Sequence, residues 1–302
     1  MASLEAALEG GADAVYLGGT QLNARANAKN FNAEELRAAT RLAHAHGVKV
    51  YLTLNTLVTD RELTAFTDAA KDAARAGVDA LIVADVGGAE RLRREIPSLE
   101  LHASTQMSGH NSAMARDLAE RGFTRMVAAR EISRANLAAL LERSPIETEL
   151  FVHGALCVCH SGQCLFSSLV GGRSGNRGEC AQPCRLPYRA KTGEYPLSLR
   201  DLSLAKQVPE LARLGVASFK IEGRMKSPEY VYEVARTFRR LIDENRGATD
   251  AEMRRLAEAF SRGGFTDGYY TGNVGRGNSG RFRRSNGRFG RACALRLIRA
   301  FR

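Results

Sequence analysis

Three of the six cysteines crowd into "CVCHSGQC" at 157–164, and two more follow in "GECAQPCR" at 178–185. Thiols gathered in this way act as disulfide staples, as metal ligands or as a nucleophile. Cys157, Cys164, Cys180 and Cys184 stand with six, fifteen and three residues between them. The short gap lets two thiolates reach one centre from a single turn, and the wider gaps let the chain fold back to complete the set. Both iron–sulfur and zinc ligation need that arrangement. Zinc sites more often pair two tight knuckles, and only one pair is tight here, so the spacing favours iron–sulfur, with zinc as the alternative metal. Cys159 reads as a small packed loop residue, Cys293 has no assigned role, and His160 reads as a surface loop histidine with metal ligation as its alternative. A protease pairing of one cysteine with His153 or His160 as base leaves three thiols unexplained. Neither a His-Glu-x-x-His helix nor a Gly-x-Ser-x-Gly elbow occurs.

Compartment and charge narrow the choice. The start, "MASLEAALEGG", has neither a basic segment nor an apolar one, and no apolar run reaches membrane-spanning length. A cytoplasmic protein with no membrane partner is expected, and there thiols stay reduced, which demotes disulfides. The net charge is +11, but nine arginines and no acid lie between Arg276 and Arg302, leaving about +2 for the rest. The basicity therefore belongs to a tail, 275–302, read as a disordered arm or as aberrant sequence.

Elements must hold these residues in place. Short apolar runs alternate with amphipathic stretches at a regular beat, as in repeated β/α units around a parallel sheet. "DAVYLGG" (13–19), "VKVYLTLN" (48–55), "DALIVAD" (79–85), "LHASTQ" (101–106), "RMVAAR" (125–130), "TELFVHG" (148–154) and "SFKIEG" (218–223) read as strands. Between them, helices are expected from an Asn32 cap to Gly47 and from an Asp60 cap to Gly77. Seven strands with a helix-like opening, "SLEAALEGG", predict a (β/α)8 TIM-type barrel lacking its first strand; an open doubly wound sheet is the alternative. Residues 1–274 are expected to form this barrel domain, with the long Gly-, Ser- and Arg-rich stretch 155–195 as a cysteine-rich insertion after strand seven. In a barrel the carboxyl ends of the strands share one mouth. Those ends carry Asn23, Arg25, Asn55, Asp85, Gln106, Arg130, His153, Lys220, Glu222 and Arg224. Taken singly, each is more often a satisfied capping or hydrogen-bonding group than a catalyst.

"ELFVHGALCVCHSGQCLFSSLVGGRSGNRGECAQPCRLPYR" resembles the signature region of the collagenase-like peptidase family U32. The likeness extends through "GADAVYLGG", "ARANAKNF", "NTLVTD", "LIVADVGG", "SFKIEGRMKSPEYV" and "FSRGGFTDGYYTG", covering about residues 2 to 274. Members carry a peptidase name, yet several are hydroxylases acting on tRNA wobble uridine, on a cytidine of 23S rRNA, or in oxygen-independent ubiquinone synthesis. The resemblance implies a [4Fe–4S] cluster held by Cys157, Cys164, Cys180 and Cys184, with a prephenate-like donor of the hydroxyl oxygen. The close Cys180 and Cys184 pair sides with the RNA-modifying and peptidase-named branches. The family's usual opening strand, of the kind "ELLAPAG", has no counterpart here.

The resulting expectation is an oxygen-independent hydroxylase of RNA bases, with tRNA or rRNA as partner and a small carboxylate as co-substrate. Arg25, Arg130, Lys220 and Arg224 are the candidates to bind that carboxylate through charge-assisted hydrogen bonds. His153 and Glu222 are the candidates for handling protons. The rival expectations are a peptidase and a non-catalytic scaffold braced by zinc.

Overall fold

The computed structural model describes residues 1–26, 28, 30–189 and 195–275. The basic tail from Arg276 onward and Cys293 lie outside the described residues. Six parallel strands come first: β1 (Ala14–Gly18), β2 (Lys49–Leu54), β3 (Ala80–Val83), β4 (Glu100–Ala103), β5 (Phe123–Val127) and β6 (Glu147–Gly154). They alternate with α1 (Ala2–Glu9), which precedes β1, then α2 (Ala33–Ala45), α3 (Leu63–Ala76), α4 (Val86–Glu95), α5 (Ser112–Glu120) and α6 (Arg134–Arg143). Each strand pairs with its successor, from Ala14 opposite Lys49 to Arg125 opposite Glu147, so the chain winds in one direction. The strands are largely apolar on the face that meets the helices, as a sheet covered by helices requires.

After β6 the order changes. The cysteine insertion, containing α7 (Phe166–Gly171), returns as β7 (Asp201–Ser203), which runs antiparallel to the end of β6. The insertion follows the sixth observed strand; it is the seventh only if a strand ahead of β1 is counted. Next come α8 (Val208–Arg213) and β8 (Ser218–Ile221), which pairs in parallel with β6, then α9 (Pro228–Asp243) and α10 (Asp250–Ala259). A two-residue β9 (Phe265–Thr266) pairs with β7. The seven expected strands are therefore β1–β6 and β8. β7 and β9 were not expected, because two or three residues are too few to display a period.

Two caps illustrate how the sequence sets the element ends. Asn32 closes a capping box, accepting from the backbone N–H of Glu34 and Glu35 at 3.0 and 2.9 Å while Glu35 accepts from the N–H of Asn32. Ahead of α3 the expected Asp60 cap is corrected: Thr59 caps a single 3-10 turn, Asp60–Glu62, that leads into the helix, its N–H and Oγ1 both 2.9 Å from the Glu62 carboxylate. The threonine with glutamate three positions on outcompetes the aspartate, because both ends of that box are satisfied at once.

Strand alternation sorts side chains into two layers. Val15, Leu17, Val50, Leu52, Leu81, Val83, Leu150 and Val152 join the main core. Tyr51, Ala80 and Ile82 form a separate small cluster on the other face, with Ala14 and Tyr16 packed against it. That inner face is also charged. Glu149 pairs with Lys220 at 2.5 Å and with Arg125 at 3.3 Å, and both Glu149 and Lys220 are buried. Lys220 lies over the Tyr16 ring at 4.3 Å, and His102 meets the Tyr51 ring edge to face at 4.8 Å. Among the described residues β1 pairs only with β2, and β8 only with β6. Their facing edges meet through side chains, the Tyr16 hydroxyl donating to the Ile221 carbonyl at 3.3 Å. No helix among the described residues is long and apolar enough to cross a membrane.

Burial holds two histidines neutral. Desolvation, followed by the Arg125 charge, takes His102 down to about 3, and desolvation followed by Lys226 does the same for His153. In the unfolded chain both revert to about 6.5, so between that value and 3 the unfolded state binds more protons and stability falls as the pH falls. Lowering the pH from about 7 to about 5 should cost roughly 2 kcal/mol per histidine. Urea titrations at the two pH values measure the loss, and His102→Asn should remove about half of it. An unchanged pH slope in that variant would contradict the neutral assignment.

Candidate active site at the barrel mouth

Glu222 follows directly on β8 and is buried. The Tyr16 hydroxyl donates to its Oε2 at 3.2 Å; Arg130 Nη2 lies 3.8 Å from Oε2 and Arg25 Nε lies 4.0 Å from Oε1. Arg224 completes the set. Its Nη1 donates to Thr53 Oγ1 at 3.1 Å and its guanidinium lies over the Tyr16 ring at 5.3 Å. Burial alone would raise the Glu222 carboxyl, but Arg25, Arg224 and Arg130 outweigh it and hold it down to about 2. Burial and then the Glu222 charge push the Tyr16 hydroxyl up, so it remains a donor.

Three guanidinium groups around one carboxylate leave two positive charges in excess. The Arg130 guanidinium stacks over the Phe151 ring at 4.0 Å, and Nε of both Arg130 and Arg224 is buried without a hydrogen-bond partner. Buried donors are nearly always satisfied. An anion entering between these arginines would satisfy them and balance the charge.

Asn23 and Asn55 shape the loop that carries Arg25. Asn55 Oδ1 accepts from the Ala24 N–H at 3.0 Å, and Asn23 Oδ1 accepts from the Arg25 N–H at 2.8 Å. Asp85 caps α4, accepting from the Gly88 N–H at 2.7 Å, and the Gln106 carbonyl accepts from Gln163 Nε2 at 2.8 Å. These four rim residues are structural.

The insertion crosses the same mouth. It leaves β6 at Gly154, whose φ of +118° suits glycine and where a Cβ would lie 2.8 Å from that of Glu222. Arg185 ties its two limbs together, donating from Nη2 to the Leu156 carbonyl at 2.6 Å and from Nη1 to Ser198 Oγ at 3.0 Å and to the Leu199 carbonyl. Cys180 Sγ accepts from the Gln182 N–H at 3.3 Å, and Cys164 Sγ accepts from the Phe166 N–H at 3.4 Å. Burial pushes the Cys184 thiol up to about 11; Arg185 opposes this, while Cys157, Cys180 and Cys164 add to it. The four thiols thus lie within electrostatic reach of one another. Arg25 is raised chiefly by Glu222 and in smaller part by Cys180 and Cys157, so thiols and arginines share one field.

Of the residues expected to bind or react, Arg25, Arg130, Glu222 and Arg224 converge. Lys220 sits deeper, already neutralised by Glu149. His153 is also apart from the set: its Nδ1 is 3.2 Å from Ser203 Oγ and its ring packs against Tyr230, Phe238 and Phe265. This packing, with the histidine held neutral, does not suit the proton-handling role expected of it. Glu222, held at about 2, is a fixed counter-charge, because so weak a base takes up a proton poorly at neutral pH. Tyr16 and Arg185 were missed. Tyr16 reads as one more aromatic strand residue, and Arg185 as one arginine among many; what distinguishes them is the partner each meets.

The match to Peptidase family U32 spans residues 1–279. The chain belongs to this family. Among its U32 relatives, the 23S rRNA 5-hydroxycytidine C2501 synthase of Escherichia coli (strain K12) is 41% identical over 248 residues, 78% of this chain and 37% of that protein. The tRNA hydroxylation protein P1 of Bacillus subtilis (strain 168) is 37% identical over 80% of this chain and 60% of that protein. A protein named collagenase from Porphyromonas gingivalis (strain ATCC BAA-308 / W83) is 36% identical over 89% of this chain and 71% of that one. The chain therefore spans 37% and 60% of the first two relatives, less than two thirds of each.

Gly178 is where the insertion touches the Arg25 loop. Its φ is +86°, and a Cβ there would lie 2.5 Å from the Ala26 nitrogen and 2.7 Å from the Asn23 carbonyl oxygen. Gly178→Ala is expected to cost about 1–3 kcal/mol or to displace the loop. Thermal melts together with proteolysis around residues 23–26 would register either effect. A variant as stable and as protease-resistant as the wild type would show that the contact does not constrain the loop.

Proposed function

We propose that this chain is the catalytic region of an oxygen-independent hydroxylase of RNA bases, using a prephenate-like dicarboxylate as donor of the hydroxyl oxygen. The observation that carries this reading is the arginine ring: Arg25, Arg130 and Arg224 around Glu222, two charges in excess, with two buried guanidinium nitrogens unpaired. Relatives named for tRNA and 23S rRNA hydroxylation support RNA as the substrate class.

The roles follow from placement. Arg130 and Arg224 bind the co-substrate carboxylates and Arg25 flanks them. Glu222 keeps the three guanidinium groups from repelling one another apart, and Tyr16 orients Glu222. The Phe151 ring under Arg130 holds that guanidinium in plane. The insertion covers the mouth and limits access of water.

Cys157, Cys164, Cys180 and Cys184 would hold a [4Fe–4S] cluster. Cys184 feels the charges of Cys157, Cys180 and Cys164, and Cys164 and Cys180 each receive a backbone N–H at sulfur, which suits such a ligand set. Tetrahedral zinc at 2.3 Å would draw sulfurs to about 3.8 Å apart. Zinc bound by the same four thiolates is the alternative ligand set. When bound, the cluster supplies one-electron chemistry.

The peptidase reading has the collagenase name behind it. An activated cysteine needs a lowered thiol and a nearby base. Here burial raises Cys159 to about 12 and Cys184 to about 11.

Anaerobic purification with iron and sulfide analysis tests the cluster. The protein should be brown, and Cys180→Ala should lose colour and iron; a colourless protein holding one zinc would overturn the assignment. For the pocket, replacing Arg130 or Arg224 singly by alanine should weaken prephenate binding about 10- to 150-fold, at roughly 1.5–3 kcal/mol per charged hydrogen bond. Calorimetry showing equal affinity would remove the anion-pocket assignment.

A further inference from the structure

We propose that His110, Glu131 and His160 form a second site, one that binds a single divalent first-row transition metal through nitrogen and oxygen. The site is independent of the iron–sulfur reading, since none of its ligands is a thiol. Its three residues come from three separate loops: His110 follows β4, Glu131 follows β5, and His160 lies in the cysteine insertion. One ligand atom of each lies within 4.8 Å of the other two.

The separations suit a metal. His160 Nδ1 is 2.9 Å from Glu131 Oε1, and His110 Nε2 is 3.4 Å from the same oxygen. With metal–nitrogen and metal–oxygen bonds near 2.1 Å, neighbouring ligands lie about 3.0 Å apart at octahedral angles and about 3.4 Å apart at tetrahedral ones.

The hydrogen bonds point the same way. His110 Nδ1 lies 2.6 Å from the Ser108 carbonyl oxygen, which can only accept, so Nδ1 carries the hydrogen. In the neutral ring Nε2 then presents a lone pair. That nitrogen is buried, has no hydrogen-bond partner, and faces the carboxylate oxygen of Glu131. Two electron-rich atoms face each other across a space that a cation would fill. A metal-bound histidine usually donates its other ring nitrogen to a carbonyl, as His110 does. Ser161 Oγ donates to Glu131 Oε1 at 2.8 Å and fixes the carboxylate.

The backbone maintains this arrangement at a cost. Ser161 is buried with φ +44°, an uncommon conformation for a residue with a side chain. It sets His160 and Ser161 on Glu131 together. Gln163 reinforces the junction, donating to Ser108 Oγ at 3.1 Å as well as to Gln106. His160 is 78% exposed, so its Nε2 can carry a hydrogen toward water while Nδ1 turns to the metal. Two neutral imidazoles and one carboxylate give the site one negative charge. Three protein ligands leave at least one exchangeable position on the ion. Bound there, the metal pins the insertion to the loops after β4 and β5.

Cobalt(II) reports ligand type by its absorption, because nitrogen and oxygen ligands give weak visible bands and thiolates add intense charge-transfer bands in the near ultraviolet. Anaerobic Co(II) titration of the full chain should show one equivalent that carries the weak bands, separate from any charge-transfer bands the thiols add. In His160→Ala and His110→Ala its affinity should fall by at least the roughly 10–100-fold that losing even a supporting group costs. Because His160 is exposed, loss of binding in His160→Ala does not reflect misfolding. The proposal is overturned if no nitrogen–oxygen-type bands appear, or if they persist at unchanged affinity in His160→Ala, whatever the thiols take up.

Discussion

Between β1 and β8 no backbone ladder forms among the described residues, and side chains hold the two edges together. Glu222 is central to that contact. Its carboxylate receives the Tyr16 hydroxyl from β1 and faces arginines that follow β1, β5 and β8. A buried carboxylate without partners is strongly disfavoured, and so are three clustered guanidinium groups without one. Each makes the other tolerable, and together they fix where the loops after three strands end. Two residues earlier on the same strand, Lys220 repeats the device with Glu149 inside the barrel.

This construction explains why the mouth is both rigid and receptive. One carboxylate balances only one of three guanidinium charges, so the assembly remains electropositive and keeps donors unpaired in a buried setting. Filling the barrel with aliphatic layers would be simpler and would avoid the desolvation of so many charges. The charges in its interior are organised along the strands that lead to the mouth, where Arg125, Glu149 and Lys220 lie beneath Glu222 and Arg224.

The insertion depends on the barrel in turn. It has little regular structure, and its position comes from point contacts: Gly154 against Glu222, Gly178 against the Arg25 loop, Arg185 between its own limbs, and His160 and Ser161 on Glu131. All but the Arg185 contact join the insertion to residues just beyond the strand ends. The thiols are thereby brought beside the arginines, although up to 155 positions separate Arg25 from Cys180 in sequence.

The β/α alternation, the seven parallel strands and the cysteine cluster were legible because each is a local pattern: runs bounded by turns, helical spacing, and thiols close together in sequence. Arg25, Arg130, Glu222 and Arg224 were legible as strand-end residues, since a barrel brings all such ends to one side. The sequence could not distinguish which of them act from which only support. His153 and Glu222 look alike as titratable strand-end groups, yet one packs among aromatic rings and the other sits among arginines. Nor could it reveal Tyr16, Arg185 or the His110, Glu131 and His160 group, whose members lie 21 and 29 positions apart. Local pattern determined the elements and the inventory of reactive groups. The tertiary structure decided the partners, because burial and charge act through space, and a residue's protonation and hydrogen bonds depend on neighbours supplied by distant parts of the chain.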